Sequence, residues 1–107
     1  MRGEFVVNAG LFRAGSSSHS FQSSVRVGPA GAFDGQTSTV TLDGALRGFL
    51  SQTVSFAGAG AFWGLNQAVS SVTFQNTTTA QYLVDSVAGS TITVAAGAVL
   101  RVGDLRL

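Results

Sequence analysis

Short runs of alternating apolar and polar residues recur along this chain, and none of them carries a helical period. Phe21, Ser23, Val25 and Val27 would face one way, with Gln22, Ser24 and Arg26 facing the other. Val40 and Leu42 flank Thr41, Val72 and Phe74 flank Thr73, and Ile92 and Val94 flank Thr93. Successive side chains of a strand point to opposite faces, so these runs suit strands with one face buried. Apolar residues at i, i+3, i+4 and i+7 are never sustained over about eleven residues. Helix is confined to a turn or two near Leu46 or Leu65. Turn formers separate the runs: Gly28-Pro29-Ala30-Gly31, Asp34-Gly35, Asp43-Gly44, the Asn76-Thr77-Thr78-Thr79 tip, Ala88-Gly89-Ser90 and Ala95-Ala96-Gly97. The spacing predicts eight or nine short strands near 4–8, 20–27, 37–43, 48–57, 69–75, 81–87, 90–95, 98–102 and 104–107.

Many short strands with frequent turns point to an all-β domain spanning 1–107, an antiparallel β-sandwich or jelly roll of about eight strands. The alternative is a β-solenoid. A triplet of apolar, polar, apolar recurs at Val25, Val40, Val54, Val72 and Ile92, and in a solenoid these five residues would stack in one column. Solenoid rungs recur at one fixed period. Here the offsets are 15, 14, 18 and 20 residues, and that irregularity favours the antiparallel reading.

Charge is the second constraint. Residues 48–84 are 37 consecutive uncharged positions in a chain of 107. Charged residues are 10% of the whole, there is no Lys, and 45% is hydrophobic. Disordered chains are polar and charge-rich, so disorder is excluded. A soluble monomer normally spreads charge over its surface and its strand edges. The neutral run therefore points to a surface covered by other protein chains, in a homo-oligomer of which a trimer is one candidate. A net charge of +1 from scattered arginines gives no reason for a nucleic-acid or membrane partner. No stretch approaches about 18 consecutive apolar residues, and the N-terminal apolar stretch is broken at Asn8 and Gly10. That is not a secretory leader.

The inventory for chemistry is thin. There are no cysteines, one His (His19, in the Ser-rich 15–20 segment) and one Glu (Glu4). No Gly-x-Ser-x-Gly elbow accompanies His19, and two of the four Asp sit in Asp-Gly turns. No His/Cys/Asp/Glu spacing fits a metal ion. The Gly58–Gly64 segment does not complete a nucleotide loop. Its small residues suit close backbone approach. No catalytic residue, metal or cofactor is expected, and the chain is not expected to be an enzyme.

The segments Ser71–Thr78, Gln81–Asp85 and Ser90–Val102 resemble the strand, Asn-Thr turn, strand, "T-x-T-V-x-A-G" turn, strand pattern of small β-sandwich modules in tailed-bacteriophage virions. The resemblance implies a capsid-decoration, head-fibre or tail-accessory role: binding and stabilising a lattice of virion proteins without catalysis. It also implies synthesis in the host cytoplasm and residence in the virion. Phe56, Phe62, Trp63 and Leu65 are the expected interface or core anchors, and Arg47 and Arg101 the expected polar interface contacts. Two other functions fit the residues. One is a solenoid segment of a fibre, spike or adhesin. The other is a carbohydrate-binding module that uses Trp63 or Tyr82.

Overall fold

The computed structural model describes residues 4–85 and 87–106, and of Arg47 its backbone. Met1, Arg2, Gly3, Ser86 and Leu107, which the predicted domain includes, lie outside the described residues. The ten strands pair only in parallel. They form a β-solenoid of five rungs with two strands in each. The rungs are β1 (Phe5–Arg13) with β2 (Ser18–Phe21), β3 (Val25–Asp34) with β4 (Thr39–Leu42), β5 (Ser51–Phe56) with β6 (Ala59–Gln67), β7 (Ser71–Phe74) with β8 (Thr78–Asp85), and β9 (Thr91–Val94) with β10 (Leu100–Arg106). The first strand of each rung builds one face and the second builds the other. β3 and β6 meet at the corner, where Ala32–Asp34 pair with Ala59–Ala61.

The all-β expectation holds, and the antiparallel sandwich or jelly roll is replaced by the solenoid. The triplet spacing misled because it mixed the two faces. Val40 belongs to the second face, beside Leu65. On the first face Phe5 stands beside Val25, Val25 beside Val54, and Val54 beside Phe74, steps of 20, 29 and 20 residues. The long step holds an inserted loop with a single 3₁₀ turn, Gly44–Arg47. Val72 and Ile92 stack with Gln52, so the five triplet residues occupy three columns.

Inward columns make the core. Phe5, Val25, Val54, Phe74 and Val94 line the first face, and Val40, Leu65, Leu83 and Leu105 line the second. Outside, Ser51–Ser71–Thr91 and Thr53–Thr73–Thr93 form hydroxyl columns. Residues in one column sit only about 4.8 Å apart, and like charges so placed repel. The neutral run maps onto the third and fourth rungs, which have neighbours above and below. The ion pairs Arg26–Glu4 (3.4 Å) and Arg106–Asp104 (3.2 Å) lie toward the two ends.

Three local expectations change. Gly28-Pro29 is a bulge inside β3 opposite Asn8, where the β1 register shifts by one residue. Proline is tolerated there because a bulge needs no ladder N–H. The Gly-Ala segment at 58–64 is mostly strand β6. A Cβ on Gly58 would collide with the carbonyl oxygens of Gly28 and Gly31, so the predicted close backbone approach is real. His19 lies on β2, half-buried, with Nε2 2.8 Å from the Ala14 carbonyl oxygen.

Two buried glutamines brace the interior. Gln52 accepts from Gly44 N–H (2.6 Å) and donates to the Phe21 and Ser23 carbonyls (2.8 and 2.7 Å), which ties the inserted loop to the first rung. Gln67 donates to the Val69 and Thr91 carbonyls (3.1 and 3.2 Å). Both amides satisfy backbone groups at places where no neighbouring strand can do so.

Candidate functional site

The second face turns a corner at Trp63-Gly64. Phe62 and Leu65 are both buried although three residues apart, which breaks strand alternation. β8 repeats the break, with Ala80 and Leu83 buried. Phe62 stands beside Ala80, and Gly64 beside Tyr82. The kink puts Trp63 outside, 38% exposed. Its ring meets Tyr82 edge-to-face, with centroids 5.2 Å apart and planes at 76°.

The connection from β3 to β4 holds this corner from below. Gly35 N–H donates to Ala61 O (3.0 Å), and Gly64 N–H donates to Ser38 O (3.1 Å). Ser38 is fully buried and donates its hydroxyl to Gly35 O (2.7 Å). A Cβ on Gly35 would lie 2.7 Å from both Ala61 O and Trp63 N. Only glycine lets the connection press against the backbone under Trp63.

Two grooves meet at Trp63. One, about 400 Å³, is lined by Thr39, Trp63, Asn66, Tyr82 and Arg106, with Gly64 as its floor. The other, about 220 Å³, is lined by Asp34, Gln36, Trp63, Thr79 and Gln81. Among the described residues, no protein group hydrogen-bonds the Trp63 indole N–H, the Tyr82 hydroxyl or the Gln81 side-chain amide. Those groups are open to a ligand.

The last rung is the second feature. The inward columns end there in Val94, 39% exposed, and Leu105, 51% exposed, with Ile92, Leu100 and Val102 only partly buried. β9 pairs only with β7 and β10 only with β8, so the other edge of each strand is open among the described residues. The inserted loop adds a third apolar exposure at Leu46, Phe49 and Leu50.

The sequence-predicted residues separate cleanly. Phe56, Phe62 and Leu65 are core anchors, buried inside this chain. Their place in the core accounts for them without a partner. Trp63 is the one exposed member of that set. Arg101 is exposed on β10 in register with Thr79. The Arg47 side chain lies outside the described residues. Sequence reasoning named Tyr82 but did not join it to Trp63. The register joins them: β6 and β8 pair at an offset of 18 residues, so Trp63 and Tyr82 become diagonal neighbours, and no pattern in the sequence fixes that offset. The open last rung had no signal, because Ile92 and Val94 read like any other core pair.

Three of the carboxylates hold connecting segments, and Glu4 and Asp104 are in the ion pairs described above. Asp34 accepts from Gln36 N–H (3.0 Å), Asp43 from the Ser20 hydroxyl (2.7 Å), and Asp85 from Val87 N–H (3.1 Å) and the Ser90 hydroxyl. Among the described residues no three His, Cys, Asp or Glu side chains cluster to hold a metal ion. Comparison with protein-family models, curated proteins and solved structures finds no match for this chain.

Proposed function

We propose that the chain is a non-enzymatic structural segment of a fibre, spike or adhesin, a class that includes the fibres of phage virions, and that it joins its assembly by adding β-strands to the last rung. The observation that carries this reading is that the core columns end in half-exposed Val94 and Leu105 beside two open strand edges. Exposed apolar columns with free edges favour pairing with another chain.

In solution the added strands are those of a second copy. The first rung is a poor mate for the last. β1 has nine residues against four in β9, and β2 has four against seven in β10. A two-fold contact instead sets β9 against β9 and β10 against β10, equal in length and antiparallel. Such a contact must be self-complementary. In the full-length register Arg101 stands opposite Leu105, Asp104 opposite Val102 and Arg106 opposite Leu100, so no like charges face each other directly.

Sedimentation equilibrium tests the reading. The expected result is a dimer that becomes monomeric on Val94→Lys with Leu105→Lys, with circular dichroism unchanged. A wild-type monomer at about 100 μM, a weak threshold for association, or a double variant that stays dimeric, would falsify it.

A further inference from the structure

The two grooves that meet at Trp63 have no role in rung stacking. We infer that they form one binding site for a neutral oligosaccharide, draped over Trp63. The inference does not depend on the assembly proposed above.

The position of the site decides the ligand class. β6 pairs with β4 and β8 on its two sides, and β8 with β6 and β10. The corner therefore offers no backbone edge to an added peptide strand. Recognition must come from side chains standing on a closed sheet face. Those side chains are two aromatic rings locked edge-to-face and a ring of planar or hydroxylic groups. A sugar ring presents an apolar C–H face to stack on an aromatic ring and hydroxyls around its rim. The rim groups match Asn66, Thr39 and the Tyr82 hydroxyl on one side of Trp63, and Gln81, Thr79 and Gln36 on the other.

Charge narrows the choice to neutral sugars. Arg106 lines one groove and Asp34 the other. Arg106 Nε already donates to Asp104 at 3.2 Å, and Asp34 accepts from Gln36 N–H. Arg106 is the one cation lining either groove, and Asp104 offsets its charge while Asp34 makes the other groove acidic, so the site has no net positive charge to select a phosphate, sulfate or sugar carboxylate. The two volumes suit a short oligomer rather than one ring, since a groove on each side of the indole gives a subsite on each side.

Gly64 shapes the larger groove. It stands in register between Thr39 and Tyr82. Any side chain there would fill the floor. A single methyl would meet Thr39 Oγ1 at 3.2 Å, a contact that a small shift of the hydroxyl relieves. Gly64→Ala therefore blocks the site without breaking the fold.

Trp63 is the only tryptophan, so intrinsic fluorescence reports on this site alone. The experiment titrates the intact chain with cellotetraose, maltotetraose and the β-1,4 tetramer of N-acetylglucosamine. We expect a saturable change in emission with at least one of them, half-complete at about 1 mM. Tyr82→Ala and Gly64→Ala should each weaken it at least tenfold, while Thr73→Ala, on the other face, leaves it unchanged. No change with any of the three tetramers at about 10 mM overturns the proposal. So does a response equal in the Gly64→Ala protein, or a response only to a sulfated oligosaccharide.

Discussion

The first and last described rungs are built from the same two-strand unit, yet their outer sides are covered in opposite ways. The first rung closes itself with rings. Phe5 and Phe21 stack with centroids 4.6 Å apart, Phe12 meets Phe5 edge-on at 5.0 Å, and Phe33 of the next rung meets both Phe5 and Phe12. Phe5 is 8% exposed although it belongs to an end rung. The last rung has Val94 in the Phe5 column, with Ile92 and Leu105 in neighbouring columns, and leaves them partly bare. A large ring can tilt over an open end and cover its neighbours, whereas a short aliphatic side chain cannot. In a stack stabilised by nearest-neighbour contacts, a closed end resists fraying and an open end invites extension.

The comparison breaks most easily at Phe21. Phe21→Ala removes a buried ring from the cluster and should cost about 4 kcal/mol. In the monomeric Val94→Lys, Leu105→Lys protein, Ile92→Ala on the open rung should cost only about 1 kcal/mol, because Ile92 is only partly buried. Urea unfolding of that protein, followed by far-ultraviolet circular dichroism, measures both. Equal losses would mean that the two end rungs are equally well packed.

Gln52 marks the boundary between the first two rungs and the rest. Its amide satisfies Gly44 N–H and two carbonyls of the first turn. Gln52→Ala leaves these groups buried without partners and should cost about 3 kcal/mol. Gln52→Glu should be nearly as damaging, because a carboxylate cannot donate to the Phe21 and Ser23 carbonyls. A loss under about 1 kcal/mol for both would show that water replaces the amide, and that the inserted loop is loosely held.

Much of this contrast could not be read from the sequence, for a physical reason. Alternation at Val25, Val40, Val54, Val72 and Ile92 shows which residues face inward, and those residues are buried or partly buried. Alternation is indifferent to whether the neighbouring strand runs parallel or antiparallel. Strand direction is set by what the connections do. The Asp-Gly pairs form turns, as expected, but these turns pass the chain from one face to the other instead of folding it back beside itself. Asp34 caps the bend at Gln36, and Asp43 leads into the 3₁₀ turn. The nine extra residues between Val25 and Val54 then hid the 20-residue period. At the candidate site, the opposite orientations of Phe62 and Trp63 follow from adjacency on a strand. The meeting of Trp63 with Tyr82 depends on the register, which only the fold supplies.

Hydrogen exchange in the monomeric Val94→Lys, Leu105→Lys protein measures the end-to-end difference strand by strand. Amides of β9 and β10 each have one neighbouring strand and a thin apolar cover, so their opening free energy should fall about 2 kcal/mol below that of β3 and β5. β1 also has one neighbour, but its aromatic cover should keep it closer to β3. Equal protection of β1 and β9 would remove the distinction between closed and open ends.

The smallest expected effect tests why the middle rungs are neutral. Thr53, Thr73 and Thr93 share an outer column, with Thr73 between two neighbours and Thr93 at the open end. If the absence of charge reflects column stacking, paired substitutions should couple with a sign set by charge. Thr73→Lys with Thr93→Lys should be less stable than the sum of its single variants by about 0.5 kcal/mol, and Thr73→Lys with Thr93→Glu more stable by a similar amount. Both couplings should shrink at high salt. Equal, salt-independent couplings would mean that the column imposes no charge constraint. The neutral run would then be left to the other explanation, an outer face covered by protein, and the face carrying Ser71 and Thr73 would become the next surface to probe for a partner.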